Sequence, residues 1–158
     1  MTDAEYAPLP DLPPLSEELE RMVASVRQNA LDVRNNYIDE VDLFRGLLDF
    51  EDIQKLITEH GGSITRLHIA LSTRFLGKVD DRLPYFTNSP PFTWHSKNII
   101  NDARLTAEKR KLPAVTPSIL FFKIIPSSRS PIFDILEENG VDTNALFDIA
   151  LNEIGNEG

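Results

Sequence analysis

The sequence has no cysteine in its 158 residues. That absence removes disulfides, thiolate metal sites and cysteine nucleophiles together, and it fits a reducing compartment such as the cytoplasm. No apolar run approaches the ~20 residues needed to span a bilayer. The N-terminus, MTDAEYAPLPDLPPLS, has no basic stretch and no apolar stretch, so it does not read as a signal peptide. Cations are also scarce: 16 Lys and Arg stand against 25 Asp and Glu, a net charge of −9. Phosphate contacts need clustered Lys and Arg, so neither nucleic acid nor a membrane is an expected partner.

Catalytic motifs are missing too. A phosphate-binding G-x-x-x-x-G-K-[ST] loop uses backbone amides to cradle phosphates and a lysine to neutralise them. The one Gly-Lys pair, Gly77-Lys78, is followed by Val79 and has Ser72 where the first glycine belongs. Gly61-Gly62-Ser63-Ile64-Thr65 misses the G-x-S-x-G elbow at its last residue and follows a helical pattern rather than a strand. His60, His68 and His95 form no H-E-x-x-H and read as surface or partly packed side chains. The pairs Glu17-Glu18 and Glu137-Glu138 fall at helix edges, where solvation and the helix dipole account for them. No catalytic residue, metal or cofactor is expected.

What the sequence does contain is a core's worth of apolar residues (41% of the chain) arranged in a pattern written twice. A shift of 77 places Leu15-Ser16 on Phe92-Thr93, Met22-Val23 on Ile99-Ile100, Val26 on Ala103, Ala30 on Ala107, Ile38 on Val115, and Leu43-Phe44 on Leu120-Phe121. A shift of 79 then places Ile53 on Ile132, Leu56 on Ile135, Gly61 on Gly140, Ser63 on Asp142 and Leu67 on Leu146. The punctuation recurs with the apolar residues. Ser, Thr and Asp favour helix N-caps because their oxygens satisfy an orphan backbone N–H; Ser16 matches Thr93, Asp39 matches Thr116, and Ser63 matches Asp142. Gly61 and Gly140 fall where a left-handed residue ends a helix.

These caps decide an ambiguous stretch. VTPSILFFKII, Val115 to Ile125, has the composition of a strand, and periodicity alone cannot classify so short an apolar run. Thr116 followed by Pro117, which loses nothing at a first helical position, makes it a buried helix. Each copy then predicts four helices: Ser16–Arg34, Asp39–Leu48, Glu51–Glu59 and Ser63–Leu71, then Thr93–Lys111, Thr116–Ile125, Ser130–Glu138 and Asp142–Ile154. In the first helix Leu19, Met22, Val23, Val26, Ala30 and Val33 share one face. The second helix of each copy is apolar nearly all round and is expected to be the buried one. The expected fold class is all-α, a pseudo-two-fold bundle of two tandem four-helix repeats. Its parts are a flexible Pro-rich arm (1–14), repeat 1 (15–71), a linker (72–91) whose Phe75, Tyr85 and Phe86 pack back on the body, repeat 2 (92–154) and a tail (155–158).

Two such copies resemble the Clp N-terminal domain, the double-repeat module at the front of Clp-family AAA+ unfoldases, over Leu15 to about Ile154. NNYIDEVDLFRGLL is similar to the family's repeat signature, and LEENGVDTNAL to its closing phrase. In some members glutamates within that signature bind phosphorylated arginine; here Val41 and Ser118 stand in those places and offer no carboxylate, so that activity is not carried over. The resemblance implies a non-catalytic protein-binding module, cytoplasmic, that recruits unfolded polypeptide substrates or adaptor proteins to a Clp unfoldase or protease. Its contacts would lie between and beside the copies: Tyr37, Asp39, Glu40 and Asp42 in the first, Pro113 and Thr116 at the pseudo-symmetric spot, and Phe92 and Trp94 at the copy boundary. Each has a plainer reading. Tyr37 is first a half-buried staple, Trp94 a core residue, and the acidic cluster cap chemistry. Rival readings are a stand-alone accessory subunit that steadies a Clp protease complex, a small hydrolase using Ser63 and a histidine, and an unrelated helical dimerisation module.

Overall fold

The computed structural model describes residues 11–74, 78–83, 89–127 and 132–155. These form eight helices: α1 Glu17–Asp32, α2 Glu40–Leu47, α3 Glu51–Glu59, α4 Ile64–Arg74, α5 Trp94–Lys109, α6 Pro117–Ser127, α7 Ile132–Glu138 and α8 Thr143–Gly155. There is no β-strand among the described residues, and Ser118 to Ile125 is helical as the caps require. The fold is therefore all-α, with α1–α4 and α5–α8 as the two repeats. Ser130 and the linker aromatics Phe75, Tyr85 and Phe86 lie outside the described residues.

The helix starts follow from side-chain chemistry. Ser16 Oγ accepts from Leu19 N at 3.2 Å, and its counterpart Thr93 Oγ1 accepts from Ser96 N at 3.2 Å. Asp39 Oδ1 accepts from Val41 N and Asp42 N, while Asp39 N donates back to Asp42 Oδ2 at 3.1 Å, completing a capping box. Thr116 Oγ1 accepts from Ile119 N at 3.3 Å. Ser63 and Asp142 cap α4 and α8 in the same way. The ends of the two long helices differ from expectation. They stop at Asp32 and Lys109 rather than at Arg34 and Lys111. Arg34 and Lys111 instead turn the chain in the left-handed region, at φ 62 and 58. A non-glycine residue rarely adopts that conformation, so no sequence signal marked the ends.

The two second helices form the centre. α6 packs on α5, α8, α2 and α3, and α2 packs on α1, α5 and α6. Phe44 of α2 and Phe121 of α6, partners at the shift of 77, stack across the pseudo-two-fold with ring centroids 6.1 Å apart. Leu43, Leu47, Leu48, Leu120, Ile124 and Ile125 around them are fully buried, and each such side chain contributes about 1.5–3 kcal/mol through removal from water.

The repeats also exchange backbone bonds. Ser16 N donates to Val115 O at 3.0 Å and Val115 N to Pro14 O at 2.8 Å. The symmetry-related set is Thr93 N to Ile38 O and Ile38 N to Pro91 O, both at 2.8 Å. The lead into each repeat is thus bonded to the turn of the other. Arginines reinforce both leads. Arg104 is buried, and its Nε and Nη2 donate to Pro13 O at 2.8 Å and Leu12 O at 2.9 Å; Arg27 Nε reaches Pro90 O at 3.5 Å. Residues 12–14, expected as part of a flexible arm, are therefore joined to the body.

The αL glycines meet at the same axis. A Cβ on Gly61 (φ 93) would lie 2.6 Å from Gly140 O, whereas a Cβ on Gly140 would lie 3.5 Å from Gly61 O, an ordinary contact. Gly61→Ala is expected to lose about 3 kcal/mol, the left-handed backbone costing about 1–2 and displaced packing the rest. Gly140→Ala should lose only the backbone share, and equal losses in urea denaturation would contradict this asymmetric approach.

Candidate functional site

The turn that precedes α2 gathers an electrostatic cluster. The capping box fixes Asp39 and Asp42 side by side. The ammonium of Lys78, from the segment between the repeats, sits against both: Nζ is 3.0 Å from Asp39 Oδ1 and 2.8 Å from Asp42 Oδ2. It also lies 5.3 Å from the centroid of the Tyr37 ring, within cation–π reach. The backbone around Lys78 is held by two buried asparagines. Lys78 N donates to Asn35 Oδ1, Asp80 N donates to Asn36 Oδ1 at 2.8 Å, and Asn36 Nδ2 donates to Asp80 O at 2.9 Å.

Burial shifts this cluster. Removal from water, then the neighbouring Asp39, raises the Asp42 carboxyl above the ordinary range, with Lys78 opposing. Burial pulls the Lys78 ammonium down, but Asp39 and Asp42 outweigh it and its pKa is raised. Burial also raises the Tyr37 hydroxyl, against the field of Lys78. Asp80 is held low by its hydrogen bonds from exposed Arg82.

With the segment fixed in this way, a cleft of about 670 Å³ opens between it and the start of α5, lined by Tyr37, Asp80, Arg82, Leu83, Pro91, Phe92, Thr93, Trp94 and Lys97. Of the residues singled out from sequence, Tyr37, Phe92 and Trp94 come together here. Phe92 is buried and forms the floor, with the Arg27 guanidinium 5.3 Å from its ring centroid. Trp94 is a correction. It is not core but 76% exposed. As the first residue of α5 it points away from the face that carries Ile99, Ile100 and Ala103. Asp39 and Asp42 do not line the cleft; they pair with Lys78, whose ammonium lies against the ring of Tyr37, a lining residue. Glu40, Pro113 and Thr116 do not line it; Thr116 is an exposed cap and Pro113 is exposed.

Sequence reasoning missed Lys78, Asp80, Arg82 and Lys97, because the segment that carries three of them has no periodicity. It also missed Arg27 and Arg104, although a signal existed: at a shift of 77 these are an identical pair, as are Pro13 with Pro90 and Pro14 with Pro91. Among the described residues no group of His, Asp and Glu could hold a metal ion, and no helix is long and apolar enough to cross a membrane. His68 lies 3.4 Å from Asp49, and His60 Nδ1 is 2.7 Å from Leu56 O.

Lys78→Met is expected to cost about 3 kcal/mol at neutral pH, because it strands the buried Asp42 carboxylate beside Asp39. The sign with pH follows from the shifts. The raised Lys78 pKa gives the wild type a contribution fully present below the unfolded lysine value of about 10.4 and lost as pH climbs through the folded value. Protonation of Asp42 on acidification relieves the variant. The stability gap, measured by urea denaturation, should therefore be widest near neutrality and shrink in both directions; a pH-independent gap would refute the charge pairing.

The Clp repeat N-terminal domain model matches residues 14–139. Solved structures with the same fold include the N-terminal domain of the chaperone ClpD from Arabidopsis thaliana, at TM-score 0.65 and 16% identity over 89% of this chain and 94% of that one. The Hsp104 N-terminal domain from Candida albicans has TM-score 0.70 and 9% identity over 87% and 89%. The ClpV N-domain from Vibrio cholerae has TM-score 0.63 and 12% identity over 88% and 86%. No curated protein sequence matches the chain. The family match covers the first repeat and the second as far as the end of α7, and the structural likeness covers nearly the whole chain. The protein therefore belongs to the Clp repeat N-terminal domain family.

Proposed function

We propose that this chain is a protein-binding module, without catalysis of its own, that recruits unfolded polypeptide substrates or adaptor proteins to a Clp unfoldase or protease in the cytoplasm. The repeats proper would span 15–71 and 92–154, with 72–91 between them and binding at the boundary. One observation carries the reading: the single tryptophan of the sequence stands 76% exposed on the rim of a cleft floored by buried Phe92. A large apolar side chain left in water is informative, since tryptophan and tyrosine are the residues that anchor protein interfaces. Membership of the Clp repeat family supports the same reading.

The opposing roles for Trp94 separate cleanly by experiment. Trp94→Ala should leave stability within about 0.5 kcal/mol of wild type, as expected for an exposed side chain. The same change should weaken binding of a reduced, carboxymethylated unfolded protein by about tenfold or more, the loss expected of an interface anchor. Unchanged affinity by fluorescence anisotropy would place binding elsewhere; no binding by the wild type would sink the recruiting role.

A further inference from the structure

The boundary cleft has a charge character opposite to that of the rest of the chain. The sequence carries a net charge of −9, yet among the described residues the cleft lining holds two cations, Arg82 and Lys97, against one carboxylate, Asp80. Asp80 is already bonded to Arg82, with Nη2 to Oδ2 at 2.9 Å and Nε to Oδ1 at 3.0 Å. Lys97 pairs with no carboxylate among the described residues. Beside these cations stand the exposed ring of Trp94 and the half-buried ring of Tyr37, with buried Phe92 beneath.

The pseudo-two-fold supplies an internal comparison. At the shift of 77, Trp94 and Lys97 occupy the places of Glu17 and Glu20, Tyr37 that of Ala114, and Phe92 that of Leu15. The two ends share a backbone frame, hydrogen bonded in the same reciprocal way. One end is aromatic and cationic; its mate is small and acidic. The packing of the repeats does not require this difference, because both frames close equally well.

The geometry points to an extended polypeptide segment in which an aromatic or large aliphatic side chain is flanked by carboxylates as the occupant of this cleft. The inference rests on the protein-binding reading above and names the class of partner. The apolar side chain enters beside Trp94 and over Phe92, while the carboxylates meet Lys97 and the outer face of Arg82. The volume of about 670 Å³ is within the ~300–1,000 Å³ of clefts that enclose ligands. The acidic mate at the other end repels the same segment, so the pseudo-symmetric position does not offer a second such site.

Trp94 is the only tryptophan, so its emission reports the site directly. Three blocked peptides serve as probes: Asp-Glu-Phe-Asp-Glu, Lys-Lys-Phe-Lys-Lys and Asp-Glu-Ala-Asp-Glu. The first should perturb Trp94 emission with an affinity at least about fivefold above the second, as two exposed ion pairs allow, and above the third. Its affinity should fall between low salt and roughly 0.5 M. Lys97→Glu, a change at a half-buried position in the first turn of α5, should abolish or reverse the charge preference. The inference is overturned by equal or tighter binding of the basic peptide, by no response to the acidic one, or by a preference that survives Lys97→Glu. If the acidic peptide fails while the unfolded protein still binds wild type and not Trp94→Ala, only the charge preference is lost. If the unfolded protein fails as well, the recruiting role falls with it.

Discussion

The structure depends on a reciprocal exchange of backbone hydrogen bonds. Pro14 and Ser16 bond to Val115, and Pro91 and Thr93 bond to Ile38. Each repeat thereby uses the other to satisfy the polar backbone of its own lead, which would otherwise enter the buried interior unpaired. That constraint places Leu15 and Phe92 in the core, sets Ser16 and Thr93 as the caps of the two long helices, and brings α2 and α6 back to back. Neither repeat has a finished core alone, because Phe44 and Phe121 each present their ring to the other. The guanidinium of Arg104, buried with the carbonyls of Leu12 and Pro13 as acceptors, extends the same logic outward.

A second constraint breaks the symmetry. In the first repeat Asn35 and Asn36 follow the long helix and hold the backbone of the inter-repeat segment. In the second, Leu112 and Pro113 stand in those positions. The asparagines bring Lys78 onto Asp39 and Asp42, and the ion pairs keep the capping-box carboxylates from repelling each other in a site with little access to water. The cap that starts α2 and the wall of the boundary cleft are therefore one electrostatic unit. A bundle built only from its apolar pattern would have no such wall.

The departure from symmetry is also where the residues of the proposed binding site gather. Tyr37, Phe92 and Trp94 converge although they come from different repeats, because the exchanged leads place the start of α5 against the turn before α2. The buried ring of Phe92 supports a floor, and the exposed ring of Trp94 is left to a partner in the proposed role. In the proposed role, two chemically unlike ends on one frame let a duplicated fold direct a partner to one end and not to its mate.

The helices and their duplication were legible in the residues alone. Cap residues act within one turn, so Ser16, Asp39, Ser63 and their mates Thr93, Thr116 and Asp142 could be read locally, and with them the helical state of Ser118 to Ile125. Apolar spacing identified the buried faces for the same reason. Helix ends at Arg34 and Lys111 were not legible, since their left-handed backbones are imposed by the turn and not by residue type. The docking of Leu12 to Pro14, the pin on Lys78 and the exposure of Trp94 were decided only by tertiary structure. Each depends on a partner dozens of residues away, and nothing in the local pattern states whether an aromatic at a helix start faces the core or the water.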